Sequence, residues 1–354
     1  MRARIIIGGN YGDEGKGTVV ASYTKRSDGR VLNVLTNGGA QRGHSVLTED
    51  GNVTSQHFGS GTYYGADNFY SRYFILNPMQ FVREYESLIA KPANIFRDAG
   101  CRWSTPYDVM ANHITEEQLG RHASCRMGIW NTVRRYRETE TMTLDEFVSC
   151  EDPFSYLVRV RGYYEASMSI PSEWRDIWNS PILMQHFLND CLYMSEVTKV
   201  GSIGSVEYDE MIFENGQGLL LSDTGKDSPD TTPSVTGIAY PLELLKGFKD
   251  IEITAHYVTR PYLTRHGDGY IEGESGRNNL SSDIMEDRTN RFNIGQGEFR
   301  YGILDIPSLR ERIVSDSNGV GFELEVTHCD EMDRVSEFNK FFDKVNTYDS
   351  PLVK

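Results

Sequence analysis

The chain lacks the features that would tie it to an oxidising compartment or a membrane. Its five cysteines, Cys101, Cys125, Cys150, Cys191 and Cys329, are odd in number, widely spaced and without a Cys-x-x-Cys pair. That pattern fits a reducing compartment and indicates neither a disulfide framework nor a zinc site. No apolar run approaches the roughly 18 residues a membrane helix needs, and no signal-like segment precedes the first apolar stretch. Positive charge is short as well: 36 Lys and Arg stand against 51 Asp and Glu, a formal charge of −15. Binding to a phosphate backbone or an anionic lipid surface needs clustered positive charge, so neither nucleic acid nor membrane is expected as a partner. At 354 residues one elaborated domain is expected, with a helical insertion at about residues 79–200.

What the chain does have is glycine directly after short apolar runs. Ile5-Ile6-Ile7 is followed by Gly8-Gly9-Asn10-Tyr11-Gly12-Asp13-Glu14-Gly15-Lys16-Gly17, which reads as a buried strand, a glycine-rich turn and a helix start. Backbone N–H groups at that helix start, with the Lys16 ammonium, suit a phosphate. Asp13 is out of place in a simple phosphate loop, and a Mg²⁺ ion or a proton transfer would account for it. The standard P-loop pattern is not met, because Asn10 stands at its first glycine and Gly17 replaces its hydroxyl residue. A tight strand-to-helix turn with surface charges is the alternative.

The same grammar recurs along the chain. Val31–Leu35 reads as a strand ending in Asn37-Gly38-Gly39-Ala40-Gln41-Arg42-Gly43-His44-Ser45, and ligands sit at such strand ends in parallel sheets. Met79 to Leu88 has helical spacing. Met211-Ile212-Phe213 leads into Glu214-Asn215-Gly216-Gln217-Gly218, and Ile251 to Gly267 alternates as one strand. The expected fold class is α/β, with a mainly parallel central sheet and P-loop-like active-site loops at strand C-termini.

Gly12-Asp13-Glu14-Gly15-Lys16-Gly17 closely resembles the signature loop of the adenylosuccinate synthetases, and further motifs of that family follow in order. The family's Gly-Gly-His-Asn-Ala-Gly-His-Thr is similar to residues 38–45, with Ala40 and Gln41 for His and Asn and Ser45 for Thr. Its Gly-Thr-Thr-Gly-Arg-Gly-Ile, followed by arginines, is matched in degraded form by residues 123–129 and by Arg134, Arg135 and Arg137. Its Glu-Gly-Ala-Gln-Gly resembles residues 214–218, and its Tyr-x-Thr-Arg-x-Gly coincides with Tyr262, Thr264, Arg265 and Gly267. Gly295 to Asp305 keeps Arg300 of the aspartate loop but has Glu298 for another arginine, with Arg291 as a possible compensation. Thr327-His328-Cys329-Asp330 has His328 where the guanine-reading motif carries lysine.

The resemblance implies Asp13, Lys16, His44 and Gln217 as catalytic residues, and Gln41, Ser124, Arg135 and Thr232 around a nucleoside monophosphate. It implies Gly12, Gly15, Lys16, Gly17, Thr18, Gly43, His44, Ser45 and Asp330 around a triphosphate, and Gly295, Gln296 and Arg300 around L-aspartate. Mg²⁺ would be held by Asp13 and the Gly43 carbonyl. The short chain, the altered aspartate loop and the broken guanine motif together resemble one branch, the bacteriophage and archaeal 2-aminoadenylosuccinate synthetases. For that branch the substrates are dGMP, ATP and L-aspartate, the product is destined for 2-aminoadenine DNA, and the assembly is a homodimer with a shared site. The setting is then cytoplasmic, the host cytoplasm if phage-encoded. Two other readings stand beside it: an adenylosuccinate synthetase using IMP and GTP, and a purine-nucleotide-binding regulator without catalysis.

Overall fold

The computed structural model describes residues 1–49, 51–120, 124–223, 230–286, 295 and 297–351. Nine strands form one sheet, every neighbouring pair parallel. Across the sheet they run Val345–Thr347, Phe322–Val326, Glu252–Thr259, Arg2–Gly8, Glu210–Gly218, Val31–Leu35, Asp67–Tyr70, Ile95–Arg97 and Lys199–Val200. A parallel sheet covered on both faces needs strands apolar on both sides, and the Ile5-Ile6-Ile7 run supplies this. Ile5 and Ile7 pack with Phe213, Ala255 and Tyr257 on one face, while Ile6 meets Val19, Val20 and Val258 on the other. All three isoleucines are fully buried, worth about 1.5–3 kcal/mol each relative to exposure. The first strand is therefore fixed at the centre of the sheet, and the loop that leaves it is fixed too.

Helices crowd the stretch between the Ile95–Arg97 and Lys199–Val200 strands. Pro106–Leu119, Pro153–Ser167 and Pro181–Val197 each begin with proline behind a capping side chain, namely Thr105, Asp152 and Ser180. Proline has no N–H to lose at a helix start, and the cap satisfies one of the open donors behind it. These helices pack around Trp103, Tyr107, Trp178 and Phe187 in a second apolar core.

The 251–267 stretch departs from its sequence reading as one strand. Glu252–Thr259 belongs to the large sheet, whereas Leu263–His266 pairs antiparallel with Phe299–Gly302 in a three-stranded sheet. Pro261 lies at the break; lacking an N–H, it cannot extend a sheet ladder. The break turns the chain across the C-terminal ends of the central strands.

Candidate active site

The loops that carry the candidate residues leave the C-terminal ends of adjacent parallel strands, where strand order reverses around Arg2–Gly8. Close backbone approach explains two glycines. A Cβ added to Gly17 would lie 2.5 Å from the Ser45 carbonyl oxygen, and one added to Gly218 would collide with the Asn10 carbonyl. The helix Lys16–Arg26 starts behind Gly15 in a left-handed conformation, with no capping side chain. Its first N–H groups therefore remain available to an anion. The buried Thr18 hydroxyl in that first turn has no hydrogen-bond partner among the described residues.

Inside the loop, Glu14 does structural work. Its Oε1 accepts the N–H groups of Asn10 at 3.0 Å and Gly12 at 2.8 Å, and its Oε2 lies 3.3 Å from Lys16 Nζ. Asp13 points elsewhere and adopts φ 56°, in the left-handed region. Arg260 Nε donates to its carbonyl at 2.8 Å, and His266 Nδ1 lies 3.0 Å from its Oδ2. Both clamps come from the chain segment that Pro261 interrupts. Burial raises the Asp13 pKa, but the His266 contact, Lys16 and Arg260 outweigh it and hold the carboxyl below its ordinary value. Asp13 is thus an ionised carboxylate at neutral pH.

A second cluster forms around Glu214, which is fully buried midway along the Glu210–Gly218 strand. His44 Nδ1 makes a short hydrogen bond to its Oε1, Ser60 Oγ donates to the same oxygen at 2.7 Å, and Ser60 N–H donates to Oε2 at 2.9 Å. Arg42 Nη2 lies 3.2 Å from Glu214 Oε1 and 3.0 Å from His44 Nδ1. Burial and the Arg42 charge push His44 down to about 4, so its ring is neutral at pH 7. Burial raises Glu214, but His44, Arg42 and Ser60 more than reverse this and its carboxyl lies well below the usual range. Gln217 sits beyond it at φ 57°, and its Oε1 is buried without a hydrogen-bond partner among the described residues, as are both amide atoms of Gln41. Buried amides without partners are costly, and a ligand would satisfy them.

Not every candidate joins these clusters. Arg135 is spent on packing: Nε and Nη2 donate to Asp108 at 2.8 Å each, Nη1 to Tyr156 at 3.0 Å and Nη2 to the Trp103 carbonyl at 3.1 Å. Its neighbours Arg134 and Arg137 are the exposed ones. The Ser124 hydroxyl donates to Glu116 and lies 3.4 Å from Asn112 Oδ1. Arg300 makes a two-pronged pair with Glu274, 2.8 Å on each prong, and donates to the Gly267 and Gly269 carbonyls. Thr232 and Gly295 are buried, and Asp330 Oδ1 accepts the Ser350 N–H at 2.6 Å. Gln296 and Arg291 lie outside the described residues.

A divalent cation fits the donors present. The Asp13 side chain is about one-quarter exposed, and Gly43, in the loop after the Val31–Leu35 strand, is exposed, with a Thr54 methyl 3.8 Å from where its Cβ would lie. A carboxylate and a carbonyl are the hard oxygen donors that Mg²⁺ takes alongside phosphate oxygens and water. Clamping of Asp13 through Oδ2 leaves Oδ1 for such a role.

A sequence model described as adenylosuccinate synthetase matches residues 5–340. An adenylosuccinate synthetase of Dehalococcoides mccartyi strain 195 is 25% identical over 316 residues, covering 85% of this chain and 72% of the relative. That of another strain of the species is 30% identical over 290 residues, covering 77% and 66%. Among solved structures, fully ligated adenylosuccinate synthetase of Plasmodium falciparum superposes with a TM-score of 0.69 at 19% identity, covering 95% of this chain and 78% of the other. The succinoaminodeoxyadenylate synthetase of cyanophage S-2L, bound to dGMP and dATP, gives 0.64 at 14% identity, covering 98% and 91%. At these identities the two structures show a shared fold. The chain spans only 66–72% of the two curated relatives' lengths.

Proposed function

This chain belongs to the adenylosuccinate synthetase family, and from that premise we propose that it is an ATP-dependent ligase joining L-aspartate to C6 of dGMP. The products are N6-succino-2-amino-2′-deoxyadenylate, ADP and phosphate. The observation that carries the choice of triphosphate is the state of residues 327–330. A guanine reader needs an Asp carboxylate open to two base N–H groups and a lysine stem as a lid. Here Asp330 is engaged by Ser350 N–H, and His328 is buried at φ 58° with Nδ1 2.9 Å from Thr327 Oγ1. One Asp330 oxygen is thus already taken and no lysine stem covers the base, which supports an adenine over a guanine triphosphate. The dGMP assignment draws support from the cyanophage structure with dGMP and dATP, of which this chain covers 91%, against 78% of the Plasmodium chain. The second reading, IMP with GTP, is favoured by the names of the curated relatives.

The chemistry is common to both. Asp13 takes the N1 proton as O6 attacks the γ-phosphorus of the triphosphate; the O6–P bond forms and the bridging P–O bond breaks. Lys16 and Gln217 stabilise the charge that develops on the transferring group, and His44 joins them as the imidazolium that the bound phosphate charge favours, its Nδ1–H staying on Glu214; the reaction is mostly positioning and neutralisation. The amine of L-aspartate then adds at C6, and phosphate leaves with O6. Arg300 would hold an aspartate carboxylate by exchanging its Glu274 partner for it, and Ser124 would reach the monophosphate by giving up Glu116, beside Gln41 and Thr232. Mg²⁺ on Asp13 and the Gly43 carbonyl would neutralise triphosphate charge. In a homodimer, one of the exposed Arg134 and Arg137 would serve the site of the second copy.

The test is phosphate release with L-aspartate and Mg²⁺, crossing dGMP, GMP and IMP against ATP, dATP and GTP. Turnover confined to dGMP with an adenine triphosphate is the expected result. Turnover confined to IMP with GTP would establish the second reading and reduce His328 and Glu298 to neutral changes.

A further inference from the structure

Arg42 has no role in the reaction as written, yet it lies between two of the residues that do. Its stem crosses Gly38 and Gly216: a Cβ added at Gly38 would sit 3.2 Å from Arg42 Cγ and 3.4 Å from Gln217 Oε1, and one at Gly216 would sit 3.1 Å from Arg42 Cγ. The guanidinium then reaches past Phe74, 5.7 Å from the ring centroid, to Glu214 and His44. Two glycines thus leave the channel through which a buried cation meets the second cluster.

We propose that Arg42 is a positioning residue for phosphoryl transfer, whose fixed charge holds Glu214 and, through Glu214, the His44 ring in reacting geometry. The inference rests on the function proposed above. Glu214 Oε1 collects three donors, His44 Nδ1, Arg42 Nη2 and Ser60 Oγ, and of these Arg42 alone carries a permanent charge. A buried carboxylate without a cation draws in whatever donor can move, because an uncompensated buried charge is strongly unfavourable. In this cluster the movable donor is His44. With Arg42 in place, the carboxylate is compensated and the imidazole is held by one bond in one orientation, as partners behind a reacting histidine commonly do.

Comparison with Arg135 separates this from a packing role. Arg135 is equally buried, but Nε, Nη1 and Nη2 all have protein acceptors. Arg42 uses Nη2 alone, and its Nε and Nη1 have no hydrogen-bond partner among the described residues. An arginine placed for packing would not leave two buried donors unpaired.

The experiment compares wild type with R42M, R42K and R42A. R42M, which fills the space without charge, is expected to lower kcat about 10–100-fold, with each KM changed by less than about threefold, the mark of an interaction made in the transition state. R42K recovers part of kcat. Guanidinium ion at non-denaturing concentration restores R42A saturably and leaves R42M unchanged, which a loss of stability alone would not produce. R42M with kcat within about twofold of wild type, or a kcat loss matching its folded fraction, overturns the proposal. If wild type turns over no purine monophosphate, the functional reading fails instead. The crystal structure of R42M then decides the matter for Arg42: a His44 ring drawn onto Glu214 and out of its wild-type orientation supports it, and a His44 ring in its wild-type place overturns it.

Discussion

Acid should destabilise this protein through a histidine that cannot take a proton where it stands. His57 is fully buried, and its Nε2 accepts the Asn77 backbone N–H at 2.8 Å, so the ring is neutral with its proton on Nδ1. Burial, reinforced by the nearby Arg42 charge, pushes His57 down to about 3. In the unfolded chain it returns to about 6.5. Because the folded value is the lower one, the unfolded state binds more protons as pH falls. Stability is undiminished above pH 6.5 and is lost progressively between 6.5 and about 3. A shift of about 3.5 units corresponds to about 5 kcal/mol at the acid limit, and to about 2 kcal/mol at pH 5. The perturbation is His57→Gln, which does not titrate. Urea unfolding at pH 7.5, 6.5, 5.5 and 5.0 measures the free energy of both proteins. Wild type should lose about 2 kcal/mol more than the variant between pH 7.5 and 5. His44 remains in both proteins, so its own acid sensitivity cancels. Parallel curves for the two proteins would refute the reasoning.

Two further outcomes concern the first loop. Asp13→Asn keeps the shape of the side chain but removes the base, and kcat should fall at least ~100-fold with monophosphate binding little changed; near-normal turnover would sink the assignment of Asp13 as the base. Gly17→Ala puts a methyl 2.5 Å from the Ser45 carbonyl and 3.0 Å from Ser60 Oγ. Because the first contact is backbone, the helix start must shift, which should cost about 1–3 kcal/mol in urea unfolding and raise KM for the triphosphate; unchanged stability and KM would mean that the Lys16–Arg26 helix has slack.

Where an apolar run meets glycine, the fold is legible in the sequence. Ile5 to Gly8 and Glu210 to Gly218 are parallel neighbours in the sheet, and both can be read because strand and turn are written in adjacent residues. What joins them cannot. His266 to Asp13, Arg260 to Asp13 and His44 to Glu214 are pairs 253, 247 and 170 residues apart, and no local pattern announces such partners. Arg42 does leave a signal, since it stands where the family's loop has alanine, yet a charged residue in a loop reads as solvated until its burial is seen. The basic cluster 134–137 shows a different limit. Composition marks it, but helix phase decides that Arg135 turns inward with Thr132 while Arg134 and Arg137 face out. Pro261 is a signal the alternation conceals: a proline inside the 251–267 run argues for two short strands over one long one.

The position of the first strand has a consequence for biosynthesis. Arg2–Gly8 pairs with Glu210–Gly218 on one side and Glu252–Thr259 on the other, so this strand is translated roughly 200 residues before its neighbours. At ~5–20 residues per second, the isoleucine strand and the loop behind it wait on the order of 10–50 s for partners. During that interval the nascent chain carries the apolar Ile5-Ile6-Ile7 run on a strand with both edges open, a configuration prone to pair with another chain. Chains halted before residue 210 should therefore need a chaperone to stay soluble, and the loop of residues 9–15 is among the last parts of the protein to take shape.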